Sequence, residues 1–219
     1  MALTLIIGNK NYSSWSFRPW IAMTEAGIVF DEIVVPLPET GGRAGDDPNL
    51  LKHSPSGKVP VLRDGDLTVW ESLAIIEHIA ETHPEVGLWP SDLAERAIAR
   101  AVSHEMHGGF SALRSTCHMN IRRSPSKLEV GPYIQADVAR IEDIWAMCLE
   151  RSGGPFLFGR KFSAADAMYA PVVNRFHVYQ LTSNPTALAY METLMARSSW
   201  GAWEAASRAE TWVLESEEI

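Results

Sequence analysis

Three consecutive hydroxyl side chains, Tyr12, Ser13 and Ser14, stand between an apolar run and a segment with helical periodicity. If a helix begins just after them, they lie at its N-terminus, where free backbone N–H groups and the helix dipole favour negative charge. A hydroxyl group in this position can donate a hydrogen bond to a bound anion such as a thiolate. The same serine can instead act only as the cap of the helix. The residue types leave both interpretations open.

A second group of candidate binding residues lies between residues 57 and 81. Pro60 follows Val59 inside a predicted strand, where a proline removes one hydrogen-bond donor of the sheet. A cis bond between these residues would turn the N–H and C=O of Val59 outward, free to pair with an extended ligand. Most bonds before proline are trans, so this pattern alone does not predict a cis bond. Further along, Glu71 and Ser72 stand at the start of a predicted helix, a position suited to an anionic group.

A βαβ unit is predicted to position the three hydroxyl groups. Residues 3–7 and residues 30–35 indicate two buried strands. The segment between them has apolar residues at helical spacing and ends at Gly27, a favourable residue after a helix. Because Pro19 is tolerated only in the first turn of a helix, we expect this helix to begin near Ser16. A helical crossover makes the two strands parallel.

The rest of the first 82 residues predicts a hairpin followed by a helix. Asp64-Gly65 is a two-residue turn signal between two β-prone runs, and residues 73–79 place apolar side chains on one helical face. Residues 36–48 form a loop rich in Gly, Pro and Asp, whose length is typical of the rim of a site. Residues 1–82 are therefore predicted to form an α/β domain with a four-stranded mixed sheet in βαβ-ββα order.

Beyond a linker at residues 83–91, every periodic segment is helical, which predicts a second, all-α domain over residues 92–219. Asp92 and Glu95 form a capping-box pattern, and the helix that they open is expected to continue through Leu113, with a bend or a close backbone approach at Gly108-Gly109. Further helices are predicted at residues 133–149, 163–179, 185–196 and 199–208, and the acidic tail from residue 215 is expected to fray. The helix at 163–179 is mostly apolar and should occupy the middle of a bundle.

The composition is that of an ordinary globular protein and excludes several functions. With 46% hydrophobic residues in 219, disorder is not expected, and a net charge of −8 disfavours nucleic acid and anionic membranes as partners. No window approaches the ~20 apolar residues of a membrane span, and the N-terminal run is too short for a secretion signal. Two cysteines, Cys117 and Cys148, suit a reducing compartment, so we expect a cytoplasmic protein.

The order Val59-Pro60-Val61-Leu62, an acidic hairpin turn, and Glu71-Ser72 followed by LAIIEHIAE resembles the glutathione-binding half of the glutathione S-transferase superfamily. The resemblance implies a thioredoxin-like N-terminal domain with a cis proline at residue 60 and a helical bundle as the C-terminal domain. It also implies glutathione as co-substrate without a metal, a hydrophobic electrophilic small molecule as second substrate, and a homodimer.

The same resemblance assigns a catalytic serine. Ile21-Ala22-Met23 matches the RIAL-like run of serine-type (zeta- and tau-like) members, which places Ser13 at the position that stabilises the glutathione thiolate. Ser14 is one residue away, and Tyr12 remains an alternative because tyrosine does this work in other classes. The loop has no Cys-x-x-Cys pattern, which disfavours dithiol-disulfide exchange.

Glutathione itself is expected to be held by residues from both sides of the cis proline. The resemblance implies that Val59, before Pro60, pairs its backbone with the cysteinyl unit, and that Ser72 and Glu71 hold the γ-glutamyl carboxylate and ammonium groups. A plain edge strand and a helix cap are the alternatives for Val59 and Ser72. Further candidate contacts of glutathione are Lys58, Arg18 and His53, for which a solvated side chain is the alternative.

The pocket for the second substrate is expected on the long helix after residue 92. Ser103, His107, Phe110 and Arg114 recur at spacings of four, three and four, and the family uses this helix to line the pocket. Met106, Phe110 and Met119 would make the pocket apolar, with His107 and Arg114 as its polar contacts. Ordinary core packing for the apolar members and a solvated face for the others is the alternative. His104 and His107 are three residues apart instead of the four of zinc protease helices, so no metal site is predicted.

These observations predict a glutathione transferase whose thiolate attacks an electrophilic carbon. A glutathione-dependent isomerase of the maleylacetoacetate type, or a peroxidase, would use the same site for another reaction. A transferase-like interaction module without turnover is an alternative of a different class. The sequence does not identify the second substrate.

Overall fold

The computed structural model describes residues 2–37 and 47–218, and the first part of the described chain forms a four-stranded mixed sheet. The strands are β1 (Leu3–Ile7), β2 (Phe30–Val34), β3 (Val61–Asp64) and β4 (Leu67–Trp70), in the order β2-β1-β3-β4. β1 is parallel to β2 and antiparallel to β3, which pairs antiparallel with β4. The predicted βαβ-ββα order is confirmed, whereas most of the predicted loop at 36–48 lies outside the described residues.

Nine helices are found in the described parts of the chain. Three accompany the sheet, namely α1 (Ser14–Glu25), α2 (Pro48–Leu51) and α3 (Ser72–Thr82). Six follow it, namely α4 (Leu93–Gly108), α5 (Ser111–Thr116), α6 (Pro132–Ser152), α7 (Ala164–Val178), α8 (Pro185–Met195) and α9 (Ser198–Ala209). A thioredoxin-like unit followed by a helical unit is the fold class predicted above. Within the described ranges, no helix is long and apolar enough to cross a membrane.

Helix α1 begins two residues earlier than predicted, and Pro19 lies inside it. The expectation of a start near Ser16 was wrong because it considered only hydrogen bonds within the helix. Proline has no N–H, so the carbonyl group of Trp15, four residues earlier, has no partner along the helix. The Ser72 hydroxyl donates to that carbonyl oxygen at 2.7 Å. A contact between α1 and the start of α3 thus offsets part of the cost of an internal proline.

The long helix predicted through Leu113 ends at Gly108, and a separate helix, α5, begins at Ser111. A side chain at residue 109 would place its Cβ 2.6 Å from the carbonyl oxygen of Glu105, so only glycine fits this close approach. Phe110 has a left-handed backbone conformation with φ of 57°, which turns the chain. The continuation of the helix through Leu113 was therefore wrong, whereas the expected bend or close backbone approach at Gly108-Gly109 agrees with the structure. Residues beyond 110 face another direction.

The hydrophobic core is centred on α7, as its apolar sequence predicted. Almost every residue of α7 is buried, and the predicted capping box is formed by Ser163 and Asp166. Trp145 of α6 packs edge-on against Tyr169 of α7 at 5.9 Å between ring centroids. On the other side, Arg18 of α1 reaches α7 and donates to the Met168 carbonyl group at 3.1 Å. Packing on α7 therefore fixes α1, the helix that carries the candidate serines.

The acidic residues after α9 are held against the protein. Glu217 lies 2.6 Å from His118, and the Glu218 carboxylate accepts hydrogen bonds from Tyr12 and Asn120, which contradicts the frayed tail expected from residue 215. We call residues 210–218 the acidic segment. The Glu210 carboxylate accepts hydrogen bonds from the backbone N–H groups of residues 10 and 11, at 2.7 and 3.1 Å. Arg122 donates to the carbonyl groups of Glu210 and Trp212, both at 2.8 Å. The segment thus lies beside the loop that precedes α1.

Candidate active site

A cavity of about 670 Å³ opens where the start of α1, the loop before Pro60, α5, α7 and the acidic segment meet. This volume is within the range of small-molecule sites. From the N-terminal part of the chain it is lined by Tyr12, Ser13, Ser14, Trp15, Leu37, Leu50, Lys58 and Val59. From the helical part it is lined by Ser111, Arg114, Ser115, His118, Met119, Arg175, Leu214 and Glu217. The cavity therefore brings together the three candidate hydroxyl groups and the residue before Pro60.

Ser13 caps α1 and faces this cavity with 5% of its surface exposed. Its Oγ accepts a hydrogen bond from the backbone N–H of Ser16 at 3.4 Å and donates to Ser16 Oγ at 2.8 Å. Ser16 Oγ in turn accepts from the N–H of Gly8 at 3.0 Å. Ser13 thus serves as a helix cap, and its hydroxyl group also lies at the cavity wall beside the positive end of α1.

Tyr12 and Ser14 also line the cavity but differ in what their hydroxyl groups do. The Tyr12 hydroxyl donates to a carboxylate oxygen of Glu218 at 2.5 Å and accepts from Arg122 at 2.8 Å. Burial and the Glu218 carboxylate raise the pKa of Tyr12 above its ordinary value. The single hydroxyl hydrogen of Tyr12 is therefore donated to a residue of the acidic segment. Ser14 is the first residue of α1 and is 9% exposed.

The bond between Val59 and Pro60 is cis, as the resemblance implied. Val59 lines the cavity, and its backbone N–H and C=O form no hydrogen bond with another described residue. β3 begins only at Val61, so these two groups lie outside the sheet ladder. Lys58 lines the same wall with an exposed side chain.

Glu71 and Ser72 stand at the N-terminus of α3, as predicted, but both have partners within the protein. The φ angle of Glu71 is 81°, a conformation that is rare without glycine and typical of functional sites. Its carboxylate lies 3.2 Å from Nε2 of His107 on α4. Ser72 is fully buried and gives its hydroxyl hydrogen to Trp15, while its backbone N–H has no partner among the described residues.

Arg18 lies away from the cavity, buried between α1 and α7. Besides its bond to Met168, its guanidinium group packs 4.4 Å from the ring centroid of Trp15, and its Nη1 has no hydrogen-bond partner within residues 2–37 and 47–218. Burial, with Arg175 and Arg114 nearby, lowers the pKa of Arg18 well below its ordinary value. Arg18 is therefore linked to the cavity only indirectly, through its contact with Trp15, which lines it. His53 lies at 3.2 Å from Arg63 and does not line the cavity either.

Four of the residues predicted for the second-substrate pocket are separated by the break after α4. Met106 and Phe110 belong to the hydrophobic core. His107 is half-buried and packs edge-on against Trp15 at 5.1 Å, and desolvation lowers its pKa although Glu71 opposes this. Arg114 alone of the four lines the cavity, with its Nη1 bonded to the carbonyl groups of residues 107 and 109.

Sequence reasoning missed three cavity residues with ionisable side chains. Arg175 is 5% exposed, and its Nε and Nη1 donate to the carbonyl groups of Cys117 and Pro171 at 2.8 and 3.2 Å. Burial lowers its pKa to about 10, and the Glu217 carboxylate acts against this. His118 Nδ1 lies 2.6 Å from the Glu217 carboxylate. No spacing pattern links these residues because they come from three separate elements.

The basic character of the cavity is a second feature that the sequence did not reveal. Among the described lining residues, Lys58, Arg114, His118 and Arg175 are basic and Glu217 is acidic. An anionic group entering this space would therefore meet an excess of positive charge. The described residues contain no cluster of three or more His, Cys, Asp or Glu side chains suited to a metal ion.

Comparison with family models matches both parts of the chain. Residues 12–82 match the model described as "Glutathione S-transferase, N-terminal domain", and residues 96–208 match "Glutathione S-transferase, C-terminal domain". The second match alone covers more than half of the chain.

Comparison with individual proteins finds relatives of similar length. A maleylacetoacetate isomerase from Rattus norvegicus is 28% identical over 187 residues, with 84% of each chain covered. Glutathione S-transferase F13 from Arabidopsis thaliana is 30% identical over 166 residues, covering 70% of this chain and 74% of that protein. A glutathione transferase homologue from Burkholderia, solved with bound glutathione, superimposes with a TM-score of 0.71 at 23% identity, covering 96% of this chain and 100% of that one.

Proposed function

Since this chain belongs to the glutathione S-transferase superfamily and is a glutathione-dependent enzyme, we propose how its residues divide the work of binding and activating glutathione. The observation that carries the proposal is the meeting of Ser13 and the backbone of Val59 on the walls of one cavity. Both groups lie at the same end of the central strand pair, because Ile6 near the end of β1 pairs with Val61 at the start of β3. A thiol peptide lying between them reaches both.

Ser13 is the residue that we assign to the thiol. A free thiol has a pKa near 8.5, so a nucleophilic enzyme must favour the thiolate. The Ser13 hydroxyl lies at the N-terminus of α1. A hydrogen bond from this hydroxyl to the sulfur and the dipole of α1 both stabilise the thiolate. The hydroxyl of Tyr12 is less suited because it donates its hydrogen to the charged carboxylate of Glu218, a stronger acceptor than the neutral Ser16 hydroxyl to which Ser13 donates. Ser14 remains the neighbouring alternative.

The peptide chain of glutathione is held by the cis-proline loop and the start of α3. The N–H and C=O of Val59, which have no partner in the described part of the chain, are suited to the backbone of the cysteinyl unit. The N–H of Ser72, likewise without a partner there, is suited to the γ-glutamyl carboxylate, and the Glu71 carboxylate to its ammonium group. Lys58, whose side chain lines the same cavity, is assigned to the carboxylate at the glycine end. Arg18 supports Trp15 instead of contacting glutathione.

The second substrate is an electrophile with an apolar body and an acidic group. The apolar part faces Trp15, Met119 and Leu214, whereas the acidic group is attracted by Arg114 and Arg175. A purely hydrophobic electrophile would leave these basic side chains without a counter-charge in a poorly hydrated space. The basic lining therefore supports a carboxylate-bearing substrate.

The reaction is attack of the glutathione thiolate on an electrophilic carbon of that substrate. A second candidate is isomerisation, in which the thiolate adds to an unsaturated acid and leaves again. It is favoured by the relatives named maleylacetoacetate isomerase in Rattus norvegicus and Mus musculus, at 28% and 27% identity. Conjugation consumes one thiol per product, whereas isomerisation returns glutathione unchanged. Quantifying free thiol and products with both kinds of substrate separates the two reactions.

Assembly, location and domain limits are further parts of the proposal. A homodimer is supported by exposed apolar side chains on the sheet edge, Leu67 at 49% and Trp70 at 45%. Sedimentation analysis tests it. The proposed domain limits, residues 1–82 for the first domain and 92–219 for the second, are supported by the end of α3 at Thr82 and the start of α4 at Leu93. We retain the cytoplasm as the expected location.

Titration calorimetry with glutathione tests the central assignment. The wild-type chain should bind glutathione, and Ser13→Ala should retain binding but lose most of the turnover with a conjugation acceptor. Absence of binding at millimolar glutathione would instead favour an interaction module without turnover. Full activity of Ser13→Ala would transfer the role to Ser14, and Ser14→Ala is the variant to measure next.

A further inference from the structure

A chain of three polar groups leads from the backbone of residue 8 to the Ser13 hydroxyl. The Gly8 N–H donates to Ser16 Oγ at 3.0 Å, and Ser16 Oγ lies 2.8 Å from Ser13 Oγ. Ser16 is fully buried, whereas Ser13 is 5% exposed at the cavity wall. Ser16 does not line the cavity, so any effect that it has on a ligand must pass through Ser13.

The hydrogens of the two serines allow a second arrangement with the same number of bonds. In the structure, Ser13 donates to Ser16, and the hydrogen of Ser16 itself has no acceptor among the described residues. A serine hydroxyl carries one hydrogen and two lone pairs, and it rotates about its C–O bond. If both hydroxyl groups turn, Ser16 donates to Ser13, and the hydrogen of Ser13 points into the cavity. No hydrogen bond within the protein is lost in this change.

We propose that Ser16 is a positioning residue that prepares Ser13 to hold the glutathione thiolate; this rests on the proposed role of Ser13. The thiol releases its proton to solvent, and Ser13 keeps its own hydrogen and donates it to the sulfur. Ser16 then donates to Ser13, with the Gly8 N–H behind it. In such a chain each hydrogen bond polarises the next, which strengthens the last one. Without the Ser16 hydroxyl, the donor that remains behind Ser13 among the described residues is the backbone N–H of residue 16, at 3.4 Å.

The pKa of the enzyme-bound thiol tests this proposal directly. It is measured by titrating the ultraviolet absorbance of the thiolate against pH, after calorimetry has established glutathione binding for each variant. Ser16→Ala should raise the thiol pKa by about half a unit, and so lower the thiolate fraction roughly threefold below that pKa. Ser16→Cys should raise the thiol pKa less than Ser16→Ala does, because a cysteine side chain still donates a hydrogen bond to Ser13, although a weak one. Ser207→Ala is the matched control, since Ser207 is equally buried but bonds to Trp203 on α9.

Ser13→Ala separates failure of this proposal from failure of the proposed function. If Ser13→Ala leaves the thiol pKa unchanged, the role of Ser13 is wrong and the role of Ser16 falls with it. If Ser13→Ala raises the thiol pKa but neither Ser16 variant does, only the proposal for Ser16 is overturned. Thermal unfolding is measured in parallel, because Ser16→Ala leaves the Gly8 N–H without its partner. Lower stability with an unchanged thiol pKa would make Ser16 purely structural, and Ser16→Cys decides the question if Ser16→Ala does not fold.

Discussion

Replacing Glu217 with glutamine removes the one acidic group among the described residues that line the cavity. The Glu217 carboxylate lies 2.6 Å from His118 and acts on Arg175 through its charge. A carboxylate on the second substrate would compete for the same basic groups. The Glu217→Gln variant should therefore bind an acidic electrophile more tightly, because the internal competitor is gone. A neutral electrophile has no such competitor and should be unaffected.

The exposure of the pair sets the size of this effect. The side chains of Glu217 and His118 are 31% and 24% exposed, so the pair is intermediate between a surface and a buried one. Exposed ion pairs contribute about 0.2–1 kcal/mol and hydrogen bonds to charged groups about 1.5–3 kcal/mol. We take about 1 kcal/mol, which corresponds to a fall in KM of roughly fivefold for the acidic electrophile. Higher salt should reduce the difference, since the pair is partly exposed to solvent.

Steady-state kinetics with two matched acceptors measures this prediction. Chlorodinitrobenzene is neutral and chloronitrobenzoate carries a carboxylate, and both lose chloride to the thiolate by the same substitution. Glu215→Gln is the matched control, because it removes the same charge from an exposed position of the acidic segment outside the cavity. If Glu217→Gln lowers KM equally for both acceptors, or for neither, the reasoning about an acidic second substrate is refuted.

Three further predictions concern buried polar groups. Burial raises the pKa of the Cys117 thiol to about 11 and of the Cys148 thiol to about 12, so a thiol-labelling reagent should modify neither in the native protein and both after denaturation. Desolvation lowers the pKa of His107 below its ordinary 6.5, so the unfolded chain takes up the proton first. The free energy of unfolding should therefore decrease as the pH falls below about 6.5, and less so in His107→Gln, as measured by denaturant titration. Ser72→Ala leaves the Trp15 carbonyl without its donor and should cost about 1–3 kcal/mol in the same titration; an unchanged midpoint would contradict this.

The elements that the sequence predicted well are those whose signals are local. The hairpin after Asp64, the capping box of Ser163 and Asp166, and the period-2 and period-3.6 patterns each depend on neighbours within a few residues. The turn itself consists of Gly65 and Asp66, one position later than the predicted Asp64-Gly65, because Asp64 still pairs with Leu67. Such signals act through backbone conformation and short hydrogen bonds, and the sequence contains both partners side by side. The cis bond before Pro60 was different, since only the family resemblance indicated it.

The errors arose where a distant residue changed a local preference. Pro19 favoured a later start of α1, because it leaves the Trp15 carbonyl without a partner in the helix. Ser72, 57 residues after Trp15, donates a hydrogen bond to that carbonyl. The apolar stripe argued for one long helix, but the close approach of residue 109 to the Glu105 carbonyl and the left-handed Phe110 end it. In both cases the sequence predicted a helix that exists, but not the residue at which the helix begins or ends.

By itself, the sequence determined the two-part fold, the family and the position of Ser13 at the N-terminus of a helix. Only the tertiary structure decided which side chains share the cavity with Ser13. His118, Arg175 and Glu217 come from elements far apart in the chain, and their mutual distances depend on how α5, α7 and the acidic segment pack. Charge acts through space and not along the chain, so the basic character of the cavity, and with it the choice of second substrate, depends on that packing.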